Sequence, residues 1–177
     1  MKSTLSKFVV VLLVAITCNV PAYATCTRVE CSFGPTIPCD QIIWDNYFQD
    51  WTCAWFKSNV TIVTSPSAYA QFTGSSSAWL LQEVYVPTGY TTHEISVQID
   101  NNGSSNSTAR LHVEVRTPSG DLLETLEIFS PTDADDLYRF NPADYSGDYV
   151  KVEFRYVPGN APGNADFRVQ YVDYFLG

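Results

Sequence analysis

Trp79, Glu83 and Tyr85 occupy odd positions of the run Ala78 to Val86. On an extended chain that spacing sends all three side chains to one face. Two rings flanking a carboxylate suit the binding of sugar in water. The aromatic faces take the C–H side of a pyranose, and the carboxylate accepts from its hydroxyls. The opposite phase holds Ala78, Leu80, Gln82, Val84 and Val86. A strand apolar on both faces is either buried on both or carries an aromatic ligand face, and both arrangements remain open here. Further candidate ligand-binding rings are Trp55, which could equally pack on a disulfide beside Cys53, and Tyr90 and Tyr138, beside turn or acidic segments.

Other chemistries have less support. Glycoside hydrolysis needs two carboxylates about 5–10 Å apart, and Glu83 with Glu114 or Glu153 is the candidate pair. With 19 acidic residues in the chain, such pairs arise by coincidence. The sequence contains no G-x-S-x-G elbow, no phosphate-binding loop and no H-E-x-x-H. Its two histidines, His93 and His112, lie in strand-like runs away from any nucleophile motif. Asp133 to Asp136 lacks the glycine and distal glutamate of a calcium loop and reads as a solvated turn. No catalytic residue is assigned.

The chain has 177 residues and a formal net charge of −9. That sign argues against nucleic-acid and anionic-lipid partners. An apolar content of 45%, with 14% aromatic, is enough for a packed core. Residues 1–24 read as a secretory signal: Lys2 and Lys7, then the apolar run Phe8 to Ile16, then Ala22-Tyr23-Ala24 as cleavage site. No later segment is suited to membrane insertion. The expected location is extracellular. Four cysteines follow, Cys26, Cys31, Cys39 and Cys53. An even number in an exported chain favours two disulfides, with three connectivities open. They define a collar over 25–53.

Beyond the collar, apolar residues alternate with period two. Strands are expected at Val60 to Thr64, Ala78 to Val86, Glu94 to Asp100, Arg110 to Arg116, Leu122 to Phe129, Tyr149 to Val157 and Phe167 to Leu176. Turn residues separate them, as at Pro118-Ser119-Gly120-Asp121. The expected architecture is one all-β domain over 44–177, an antiparallel β-sandwich of jelly-roll type. His112/Glu114/Arg116 and Lys151/Glu153/Arg155 should point outward as solvated sets. If their strands are neighbours, these sets would pair across them.

Three short segments resemble the galactose-binding-like β-sandwich, the jelly roll shared by many carbohydrate-binding modules. Asp45-Asn46-Tyr47-Phe48 with Trp51 is similar to that family's opening. Ser77 through Gln82 to Val86-Pro87 is similar to its second motif, and Phe167 to Asp173 to its last strand. The resemblance implies a structural Ca²⁺ where the opening segment meets the final strand. By position its carboxylates would be Asp45 and Asp173. The cysteine collar departs from the family's pattern.

The expectation is therefore a secreted, non-catalytic protein that recognises an extracellular glycan. The alternatives are an extracellular adhesion or structural module that contacts a surface protein, and a small glycan-active hydrolase.

Overall fold

The computed structural model describes residues 25–26 and 37–38 (backbone only), 43, 48, 55–64, 66–160 and 165–177. Among them are twelve strands and no helix, so no helix here is long and apolar enough to cross a membrane. The strands are β1 (Thr25–Cys26), β2 (Ile37–Pro38), β3 (Phe56–Ser58), β4 (Thr61–Val63), β5 (Tyr69–Thr73), β6 (Ala78–Tyr85), β7 (His93–Gly103), β8 (Arg110–Arg116), β9 (Leu122–Phe129), β10 (Asp136–Phe140), β11 (Tyr149–Val157) and β12 (Ala165–Leu176). β1 and β2 pair only with each other. The others form two five-stranded antiparallel sheets, a first in the order β10-β7-β12-β5-β4 and a second in the order β3-β6-β11-β8-β9. The result is the expected all-β sandwich.

Alternation places the core between the sheets. Leu80 and Val84 of β6, Leu111, Val113 and Val115 of β8, and Val150, Val152, Phe154 and Tyr156 of β11 point inward from the second sheet. They meet Phe72, Ile95, Val97, Ile99, Phe167, Val172 and Tyr174 of the first. The Tyr156 hydroxyl, buried with its ring, donates to the Gly74 carbonyl at 2.9 Å, which satisfies it as a buried polar group must be. β3, β5 and β10 were not expected from the sequence. They are only three to five residues long, too short for a period to show. β10 begins at Asp136, the last residue of the acidic stretch that reads as a turn.

The hairpin between β8 and β9 borders the second sheet's outer face. Gly120 N donates to the Thr117 carbonyl at 2.9 Å, and Thr117 N to the Asp121 carbonyl at 2.9 Å. Closing that turn holds Gly120 at φ 99°, a backbone conformation glycine adopts without a Cβ penalty. Arg116 Nη1 and Lys151 Nζ donate to the Gly120 and Pro118 carbonyls, which fixes the turn against that face.

Candidate functional site

The outward phase of β6 carries Trp79, Leu81, Glu83 and Tyr85, and its inward phase is sealed in the core. Trp79 and Tyr85 are 37% and 45% exposed. The strand therefore has one buried face and one aromatic face open to water. Pairing extends this face into rows that run across the strands. One row is Ser58–Trp79–Arg155–His112–Ile128, and the next is Phe56–Leu81–Glu153–Glu114–Thr125. A third joins Glu83, Lys151 and Arg116, and a fourth joins Tyr85 to Tyr149. In the last, the two ring centroids are 5.0 Å apart.

The charges on β8 and β11 do pair, as their alternation suggests, but diagonally. Directly opposed residues are alike in sign, Lys151 with Arg116 and Glu153 with Glu114, a destabilising arrangement if left unanswered. It is resolved by Arg116 Nε reaching Glu153 at 3.3 Å and Arg155 Nη2 reaching Glu114 at 2.6 Å. Glu114 is the hub. Its Oε2 accepts from Arg116 Nε and Nη2 at 3.0 and 2.5 Å and from Arg155 Nε at 3.2 Å, while Oε1 accepts from Arg155 Nη2 at 2.6 Å.

The expectation that Glu114 is solvated is corrected here, because its side chain is only 1% exposed under the two guanidiniums. Burial pushes its carboxyl upward, but hydrogen bonds and charge from Arg155 and Arg116 outweigh that and hold it below the usual carboxylate range. Glu153 moves the other way, raised mainly by burial, with Arg116 offsetting part of the rise. His112 is lowered by burial and by Arg155.

Glu114 itself is held in place and offers little for acid–base chemistry. A carboxylate with both oxygens committed to arginines and no open surface is poorly placed to attack a sugar or protonate a leaving group. Glu83 is half-exposed, with Lys151 Nζ 4.0 Å away.

The remaining sequence candidates lie elsewhere. Trp55, 4% exposed, packs in the core against Phe48 and Phe154, with ring centroids 5.2 and 6.3 Å away, so its burial leaves no face for a ligand. Tyr90 and Tyr138 are partly buried against the core. Tyr138 stands edge-on to Phe129 at 4.6 Å and donates to the Ala134 carbonyl at 2.5 Å. Asp173 is buried on the first sheet and accepts from the Tyr171 hydroxyl at 2.9 Å. Asp45, Cys31, Cys39 and Cys53 lie outside the described residues, and Cys26 is described only as backbone in β1. Among the described residues no group of three or more His, Cys, Asp or Glu side chains is arranged to hold a metal ion.

Among the side chains of the face not singled out as ligand candidates are Phe56, Tyr149, Arg155 and His112. Tyr149 and Arg155 share the outward phase of Lys151 and Glu153, so alternation alone contained that signal. Phe56 lies in a three-residue strand with no period to detect.

No protein-family model matches the chain, and no curated protein matches it. Solved structures do. The carbohydrate-binding module TmCBM61, in complex with β-1,4-galactotriose, superposes with a TM-score of 0.56 at 12% identity, covering 77% of this chain and 99% of that one. A family 16 carbohydrate-binding module gives 0.52 at 15% identity, covering 75% and 98%. The arabinose-bound GH51 α-L-arabinofuranosidase MgGH51 gives 0.52 at 18% identity, where the match covers 77% of this chain but only 26% of the enzyme. The fold is that of a carbohydrate-binding-module-like β-sandwich.

Proposed function

We propose that the chain is an exported, non-catalytic glycan-binding protein whose ligand lies on the outer face of the second sheet. The observation that carries this reading is the exposure of Trp79 and Tyr85 on the water-facing side of β6 while its aliphatic side seals the core. The galactotriose complex of TmCBM61 supports the ligand class through a shared fold. Export rests on the signal-like residues 1–24.

The two rings also indicate ligand size. Six residues of extended chain separate Trp79 from Tyr85, roughly 20 Å, so one sugar cannot touch both. A polymer lying along β6, with the indole at one end and the Tyr85–Tyr149 pair at the other, would use the whole face.

Affinity electrophoresis in gels cast with soluble polysaccharides, β-1,4-galactan among them, tests the reading. At least one polymer should retard the protein. Trp79→Ala should weaken that retention about tenfold or more, the scale of a lost stacking contact. Tyr85→Ala should weaken it less, and monosaccharides should compete poorly. Retention that survives both substitutions, or no retention by any glycan, would refute the proposal.

A further inference from the structure

The central row of the face has an unbalanced set of hydrogen-bonding groups. Arg155 has no acceptor, so its Nη2, 3.2 Å from His112 Nδ1, must be the donor of that bond. With Nδ1 accepting from Arg155 rather than donating to Glu114 Oε1, 3.4 Å away, the imidazole proton is on Nε2. Arg155 spends Nε and Nη2 on Glu114 and His112, and none of those bonds uses Nη1. The Arg155 side chain is 35% exposed and that of His112 17%. Between Trp79 and Ile128 the row therefore offers water only N–H donors. Glu114, the carboxylate nearest them, is sealed and saturated.

We infer that this row selects sugars carrying an anionic substituent, a carboxylate or a sulfate, which accepts from Arg155 Nη1 and His112 Nε2 while the pyranose lies on Trp79. The inference rests on the glycan reading above and narrows it. Hydroxyls both donate and accept, so a patch of donors alone satisfies them only in part. An oxyanion accepts from all of these donors, and the bonds are charge-assisted. The guanidinium is held in place by its fork on Glu114, so little freedom is lost when the substituent docks. Arg110, close enough to depress the neighbouring imidazole, adds a second cation beside the site.

The chain's net charge of −9 opposes this only weakly. At physiological ionic strength exposed charges are screened beyond about 8 Å, and the far side of the sandwich lies beyond a sheet spacing of about 10 Å.

The test compares each acidic polymer with its own neutral form, by affinity electrophoresis and titration calorimetry on the full exported chain. Polygalacturonate is set against its carboxyl-reduced product, and a sulfated galactan against its desulfated product. At least one acidic form should bind about tenfold or more tighter than its neutral counterpart, and the arm that does so identifies the substituent. The preference should shrink as salt is raised. Arg155→Gln should bring the acidic-to-neutral ratio close to one. His112→Phe, which leaves the fork on Glu114 in place, should also lower that ratio and guards against a misfolded arginine variant. Equal binding of acidic and neutral forms, lost together in Trp79→Ala, would overturn this inference and leave the glycan reading standing. Failure of every polymer to bind would overturn both.

Discussion

Glu114 shows how far one residue's environment can depart from its place in a pattern. By alternation it belongs to the wet side of β8, but Arg116 and Arg155 fold over it and close it from water. A period in the sequence reports which side of a sheet a residue is on. It does not report whether long neighbours lean across it, which depends on pairing partners 2 and 41 positions away. Removing the carboxylate strands two guanidiniums on the face. Glu114→Ala should therefore cost about 3 kcal/mol in urea unfolding at neutral pH, the scale for breaking a closely packed charge pair. The pH dependence has a defined sign. The folded carboxyl lies below its ordinary value of 4.5, so its contribution is present above pH 4.5 and is lost as pH falls through the lower folded value. Glu153, raised by burial, contributes with the opposite sign. Glu114→Gln should flatten the acid limb of the stability profile; an unchanged limb would show that the hub is not its source.

Among the elements, β9 is the longest strand at an edge of either sheet, with eight residues and three exposed leucine or isoleucine side chains, Leu122, Leu123 and Ile128. An edge of that kind invites pairing with another chain. Here the register against β8 slips twice, between Val113 and Glu114 and between Val115 and Arg116. Each slip leaves an extra residue on β9, Leu126 and Leu123, and such bulges twist an edge out of the flat geometry that strand addition needs. The sequence showed where β9 runs and concealed the slips, because period two breaks locally wherever a residue is inserted. β6 was half legible in the same way. Its two apolar phases were plain, but the choice between burial on both faces and an open aromatic face is made by what packs against each side. The hairpin ahead of β9 permits a narrow test. A Cβ on Gly120 would meet nothing within 4 Å, so Gly120→Ala isolates the backbone penalty of its positive φ. The expected loss is about 1–2 kcal/mol, with glycan retention unchanged; a larger loss would mean that the turn also positions Arg116 and Lys151.

At the scale of the whole molecule, the segment between β10 and β11 clasps one end of the sandwich by touching both sheets. Asp144 and Ser146 lie 3.4 and 3.5 Å from His93 Nε2 on the first sheet, and His93 Nδ1 is 3.3 Å from the buried Tyr174 hydroxyl. On the second sheet Glu124 accepts from Ala143 N and from the Tyr145 hydroxyl, each at 3.0 Å. Gly147 N donates to Val86 O at 2.7 Å, where β6 leaves the candidate face. Burial, and then the carboxylate of Glu124, push the Tyr145 phenol from 10.0 up to about 12, and burial raises Tyr174 as well. A phenol whose folded value exceeds its unfolded one contributes stability in full below pH 10, and that contribution drains away as pH climbs towards about 12. Urea unfolding between those limits should show a steady loss of stability in the parent protein. Tyr145→Phe should be less stable at neutral pH, lacking the bond to Glu124, and should lose less on alkalinisation. The remaining slope comes from the other phenols that burial raises, Tyr138, Tyr156 and Tyr174. If the variant and the parent fell in parallel across that window, the clasp would have to be held by His93 and the backbone bonds, with the Tyr145 phenol a bystander.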